Sequence, residues 1–254
     1  MTDRPAPDRS SPAQQRFEDA ARAADMKPEN RWVEGYADYE WDHLRPLIQA
    51  YGLDLAGKDV LEFGCNVGGS AVVLAALGAR LTAIDIDAAT IAVARANLDR
   101  HGFDAATTLH VPNTRTIPLP DGGYDLILAN SVLEYVPADW LPQVIGEFHR
   151  LLRPGGHLLI CGTASRLSPI ELHSRRWGIN WLPRAILPGE QRGLGPIALA
   201  KAVRGRFVDA SGDHWVAARR AIHGRLSPIN RAIAALARSP GWVAPYIELL
   251  LRKP

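Results

Sequence analysis

Between Glu62 and Asp85 the chain sets an acid, a run of glycines and a second acid at spacings suited to gripping a nucleoside. The run reads Val60-Leu61-Glu62-Phe63-Gly64-Cys65-Asn66-Val67-Gly68-Gly69, and Asp85 follows Gly64 by 21 residues. At the carboxyl edge of a parallel strand, glycines let the backbone approach a ligand that side chains would hold off. An acid ending the next strand can accept hydrogen bonds from both ribose hydroxyls. These features fit any nucleoside cofactor. A dinucleotide asks for a second glycine two residues after the first, so that pyrophosphate can reach the helix N-terminus. Asn66 stands at that position, which disfavours an NAD-dependent oxidoreductase.

The elements that must position these residues alternate between strand and helix. Residues 58–63 read as a strand, Gly69 to Leu77 as a helix stopped by Gly78, and Arg80 to Ile84 as a second strand. A helix from Ala88 to His101, opened by Asp87 as its N-cap, leads to a third strand at Thr107 to Val111. The turn Pro120-Asp121-Gly122-Gly123 introduces a fourth strand, Tyr124 to Ala129. A helix from Pro142 to Leu152 and a fifth strand, His157 to Cys161, complete the rhythm. Such alternation means parallel βαβ units with helices on both sheet faces. The expected organisation is a disordered tail over 1–15, a helical cap over 16–57 and a cofactor-binding core over 58–163. A lid or cap follows over 164–244, and a strand at 245–254 returns to the sheet.

The pattern Glu62-x-Gly64-x-x-x-Gly68 resembles motif I of class I S-adenosylmethionine (SAM)-dependent methyltransferases. Ile84-Asp85-Ile86-Asp87 resembles that family's second motif, and residues 118–125 its proline-rich turn before the fourth strand. Leu151-Leu152-Arg153-Pro154-Gly155-Gly156 resembles the loop before its fifth strand. The resemblance covers roughly residues 58–162. It implies a Rossmann-like, seven-stranded, mostly parallel sheet in which a late antiparallel strand, Tyr246 to Leu251, lies beside the fifth. It implies SAM as cofactor. Glu62, Gly64, Cys65, Asn66 and Gly68 would line the methionine and ribose portion, and Asp85 would hold the ribose. Ile86 would pack on the adenine, Asn113 with Thr114 would face the adenine amino group, and Asn130 would reach the methionine. Asn113 departs from the family's usual aspartate and offers an acceptor without charge.

Methyl transfer from a sulfonium is an in-line displacement by an already activated donor, so alignment in a dry pocket supplies much of the rate. A base is needed only for a hydroxyl or a protonated amine. The candidates are Glu134, His43 and His173; His149, inside the helix before the fifth strand, reads as a surface or core histidine. Trp32, Tyr36 and Tyr39 recur at helical spacing, and two readings stand side by side: a pocket wall or a helix-packing face. No carboxylate–histidine metal spacing occurs, so no metal is expected. The expected acceptor is O or N of a small molecule, apolar or natural-product-like. The alternatives are a protein or nucleic-acid methyltransferase and a non-catalytic SAM-fold subunit. Asn130-Ser131-Val132-Leu133 argues against base-flipping chemistry, and no nucleic-acid partner is expected.

Composition is that of a globular chain, with 47% hydrophobic and 22% charged residues. Two cysteines, Cys65 and Cys161, make no disulfide framework and favour a reducing, cytoplasmic setting. Met1 to Ala13 lacks an apolar core, which predicts no secretory signal. No membrane-spanning helix is expected. The net charge of +2 conceals a basic end: from Gln191 onward eleven Lys or Arg face three Asp or Glu. There, Ser227-Pro228 opens an amphipathic helix through Leu236, with Ile229, Ala232, Ile233 and Leu236 on one stripe. The stripe is expected to pack on the sheet or lid as a cap, in preference to lying on an anionic membrane, because it holds much alanine. A second copy of the chain is a further candidate partner.

Overall fold

Strand by strand, side chains alternate between two apolar layers, which is what a sheet covered on both faces demands. In β1 (Asp59–Phe63), Leu61 and Phe63 enter one layer and Val60 the other. β4 (Tyr124–Asn130) divides Ile127 and Ala129 from Leu126 and Leu128 in the same way. The structure, a computed structural model, describes residues 3–171, 174–183, 186 and 192–254. With β2 (Arg80–Asp85), β3 (Thr107–His110), β5 (Leu152–Ala164), β6 (Val208–Asp209) and β7 (Tyr246–Arg252), these strands form one seven-stranded sheet ordered β3-β2-β1-β4-β5-β7-β6. The first five are parallel, while β7 runs antiparallel to both β5 and β6. The α/β architecture and the late antiparallel strand beside the fifth match expectation.

The helices are α1 (Pro12–Ala23), α2 (Tyr36–Ala50), α3 (Gly69–Ala76), α4 (Ala88–Arg100) and α5 (Leu141–Leu151). α6 (Pro196–Val203), α7 (His214–His223), α8 (Pro228–Leu236) and α9 (Pro240–Val243) follow β5. Asp87 caps α4 by accepting from the Ala89 amide at 2.7 Å. α2, α3, α4 and α7 supply one apolar layer, and α5 and α6 the other. Among the described residues, no helix is long and apolar enough to cross a membrane.

Four expectations need correcting. Residues 3–15 are not a disordered tail. Pro12 starts α1 at a position where a missing amide costs nothing, and Phe17 and Ala21 pack with Val67, Val93 and Ala96. Upstream, the Asp8 amide donates to the Arg100 carbonyl at 2.7 Å, and Arg4 pairs with Asp42. Nor is the 164–244 segment only a lid. α6 buries Leu199 and Val203 in the core, α7 buries Trp215, and β6 is the seventh strand. The expected cap helix, α8, is the third: it buries no residue at all. Trp32 also lies in the turn before α2 instead of on the helix, yet its ring meets Tyr36 and Tyr39 edge-on with centroids 6.1 and 5.1 Å away.

Candidate functional site

β1 is flanked by β2 on one side and β4 on the other, so consecutive crossovers leave it in opposite directions. A crevice forms where such a sheet reverses its winding, at the carboxyl ends of the strands. A cavity of about 920 Å³ lies there. Its floor is Gly64, Cys65 and Asn66 after β1, Ser70 of α3, Asn130 and Ser131 ending β4, and Cys161 and Gly162 of β5. Tyr36, Tyr39, Glu40 and His43 of α2 form a wall, and Trp32, Arg175, Arg219 and Tyr246 stand at the rim. The aromatic cluster therefore does both things the sequence left open: its rings pack on one another and they line the cavity.

Backbone conformation is unusual at this spot. Four described non-glycine residues have positive φ, and three of them, Asn66, Ser131 and Arg175, line the cavity. Asn66, at φ 48°, takes the left-handed geometry that asparagine tolerates better than most residues. The glycines are held by neighbouring packing as well as by the space a ligand needs. A Cβ on Gly64 would lie 2.3 Å from Val132 Cγ2, and one on Gly69 2.5 Å from the Tyr36 ring.

The Asp85 carboxylate organises the loop, accepting from the Asn66 amide at 2.9 Å and the Asp87 amide at 3.1 Å. It remains part-exposed at the open edge beside the cavity, where hydroxyl groups can reach it. Asp85→Ala is expected to weaken SAM binding by about 2 kcal/mol, through loss of a charged acceptor. Titration calorimetry showing a loss under roughly 0.5 kcal/mol would mean that Asp85 does not hold the ribose.

Two carboxylates lie buried beneath the cavity. Glu40, 4% exposed, accepts from the Tyr36 hydroxyl and the Asn130 amide, and burial pushes its carboxyl up to about 7. Glu62 is pushed well above the ordinary range, first by burial and then by the charge of Glu40. Ser70 donates to Glu62, while the other carboxylate oxygen, Oε2, is buried with no partner. Asn130 Nδ2 donates to Ser70 Oγ at 3.0 Å, so Glu40, Asn130, Ser70 and Glu62 form one chain of polar contacts. A dry pair of acids with an idle acceptor suits a cationic ligand, because bringing in positive charge offsets the penalty of ionising them. Burial also raises the thiols of Cys65 and Cys161, which removes them as nucleophiles near neutral pH.

The other sequence candidates are distributed unevenly. His43 lines the cavity, stacked on Tyr39 with centroids 4.0 Å apart and with Nδ1 2.7 Å from the Tyr39 carbonyl. Glu134 does not line it: the side chain is buried, and Oε1 accepts from the Ala164 amide at 3.2 Å, tying the turn after β4 to β5. His173 lies outside the described residues. Gly68 is the left-handed residue before α3, closed off by Ala94. Ile86, 62% exposed, projects beside Asp85, as an apolar platform for a base would. Asn113 is exposed, its Oδ1 accepting from the Arg115 amide at 3.2 Å, and Thr114 is buried. His149 packs edge-on to Phe207, away from the cavity. Among the described residues no cluster of His, Cys, Asp and Glu could hold a metal. Glu40 escaped sequence reasoning, although its i, i+4 relation to Tyr36 and Leu44 places an acid on the apolar face of a helix.

Comparison with known proteins agrees with this geometry. The family model described as a methyltransferase domain matches residues 61–160. A probable S-adenosylmethionine-dependent methyltransferase of Mycolicibacterium smegmatis is 32% identical over 141 residues, covering 54% of this chain and 51% of that protein. The ribosomal protein L11 methyltransferase of Shewanella pealeana is 37% identical over 112 residues, covering 44% of this chain and 36% of that one. The chain thus spans about half or less of the length of these curated relatives. In fold it is similar to the N-methyltransferase NodS of Bradyrhizobium japonicum WM9, solved with S-adenosyl-L-homocysteine. The TM-score is 0.52 at 19% identity, covering 83% of this chain and 87% of that one. The loop and strand order that the motifs imply are therefore those of a recognised domain: residues 61–160 match a methyltransferase domain, and that part of the chain is similar to SAM-dependent methyltransferases.

Proposed function

We propose that this protein transfers the methyl group of SAM to an oxygen or nitrogen of a small, largely apolar acceptor. The observation that carries this reading is one cavity in which the glycine loop and Asn130 of the floor meet the buried acid Glu40 and the aromatic side chains of the wall. Its volume, about 920 Å³, is at the upper end for small-molecule sites and leaves room for an acceptor beside a nucleoside. SAM, when bound, supplies an electrophilic methyl on a positively charged sulfonium. Asp85 accepts from the ribose hydroxyls, and Glu40 and Glu62 supply negative charge for the cationic portion. Tyr36 and Tyr39, nearly parallel, and Trp32 set edge-on to them give the acceptor an aromatic surface and exclude water. With Nδ1 committed to the Tyr39 carbonyl, His43 keeps Nε2 as the free acceptor of a proton from a hydroxyl or ammonium. His43 is thus a better-placed base than Glu134. The ribosomal relative's name speaks for a protein acceptor, but only 112 residues are shared with it, 36% of that protein's length.

SAM and S-adenosylhomocysteine are expected to bind with micromolar affinity and NAD not to bind. Calorimetry decides this, and NAD binding without SAM binding would end the reading. Release of S-adenosylhomocysteine from SAM in the presence of a panel of phenols and amines then tests catalysis. No turnover with any of them, despite tight SAM binding, would favour a non-catalytic SAM-binding subunit.

A further inference from the structure

The α7–α8 region carries a surface that the cofactor site does not use. α8 follows its cap, Ser227, whose hydroxyl accepts from the Asn230 amide at 3.1 Å. Its apolar stripe faces outward: Ile229 is 64% exposed and Leu236 87% exposed, with Ile233 between them on the same side. Beside it, Arg220, His223, Arg225, Leu226 and Arg231 line a cleft of about 660 Å³ that no acidic residue enters. Arg220, Arg225 and Arg231 make no ion pair among the described residues. From residue 214 to residue 247 the chain holds five arginines and not one Asp or Glu. His223 lines both this cleft and the candidate active-site cavity, so the two adjoin at that side chain.

We propose that the α7–α8 unit docks on an anionic lipid bilayer, with the stripe of α8 entering the interface and Arg220, Arg225 and Arg231 on lipid phosphates. A short apolar stripe beside unpaired cations is the pattern of helices that lie in the plane of a membrane surface. A second copy of the chain fits less well, because a two-fold contact through this face would set the arginines against their own counterparts. Nucleic acid would satisfy the charge and leave the aliphatic stripe in water. Docking turns the edge of the cavity at His223 toward the bilayer, where an apolar acceptor is concentrated. The docking itself goes beyond the methyl-transfer reading and is measured without SAM.

The test is co-sedimentation of the full chain with vesicles of phosphatidylcholine, with and without phosphatidylglycerol, at low and high salt. Binding to the anionic vesicles at low salt, at least about tenfold over the zwitterionic ones, is the expected result. The R220S/R225S/R231S variant should lose roughly a hundredfold in affinity, at about fivefold per arginine near a charged surface. The I229S/L236S variant, altered only at exposed positions, should lose about tenfold or more. S-adenosylhomocysteine binding should be unchanged in both variants, which separates failure of docking from failure of folding or of the cofactor reading. No vesicle binding overturns the proposal, as does binding that ignores I229S/L236S. A dimer dissolved by I229S/L236S, or tight RNA binding indifferent to it, assigns the surface to another partner and overturns it equally.

Discussion

Gly64→Ala is expected to cost about 3 kcal/mol of stability and to abolish measurable SAM binding. Two separate penalties act at this position. The backbone is left-handed, φ 77°, where an alanine costs about 1–2 kcal/mol relative to glycine. The new Cβ would lie 2.3 Å from Val132 Cγ2 and 3.0 Å from Val132 Cβ. Rotating the valine moves its methyl groups but leaves Cβ in place, so the loop after β4 must shift; overpacking of this kind costs about 1–3 kcal/mol. That loop carries Ser131 and follows Asn130, both on the cavity floor, so displacement is transmitted to the site. Chemical denaturation and calorimetry measure the two effects. Adding Val132→Ala removes the Cγ2 contact but leaves Cβ in place and the backbone strained, and should recover no more than about half of the lost stability. Wild-type stability in the single variant would show that the approach of Val132 to Gly64 is not a constraint.

Glu40→Gln should make the protein more stable than the wild type at pH 8 and nearly equal to it at pH 4.5. Burial raises the Glu40 carboxyl from 4.5 to about 7 in the native state. Below pH 4.5 both folded and unfolded chains hold the proton, and the preference for the neutral form is fully present. Between 4.5 and 7 only the native state holds it, so stability falls as pH rises through this window and levels off above 7. The integrated effect is about 3 kcal/mol, and Gln, which has no charge to desolvate, avoids it. Coupling to Glu62 adds in the same direction, since removing the Glu40 charge makes Glu62 easier to ionise. Binding of cationic SAM should show the opposite pattern, strengthening in the wild type as pH rises through about 7 and losing that rise in Glu40→Gln. Urea denaturation at the two pH values checks the stability claim. An equal difference between variant and wild type at both pH values would mean that Glu40 does not ionise as argued.

The local pattern of the chain was enough to give the cofactor core. Strand and helix periods, the glycine loop, Asp85 at the end of β2 and the Asp87 cap all rest on interactions within about twenty residues, and the spacing of residue types records them directly. The order of α1 was not visible that way. Its stability comes from Phe17 meeting Val67 and Val93, contacts made only after the sheet has formed, while its composition alone looks like a polar tail. β6, two residues long, exists because β7 offers it an edge. The chemistry of the site divides in the same manner. Glu134 sits beside the ligand side of the sheet in sequence, but the chain path turns its carboxylate onto the Ala164 amide. Glu40 is an ordinary helix acid in sequence, and becomes a buried acid titrating near neutrality because α2 folds over the ends of β1 and β4. α8 shows the converse: an amphipathic stripe predicts that something will cover it, and tertiary structure decided that the chain itself does not. Periodicity reports which face is apolar; only packing of distant elements determines what that face meets.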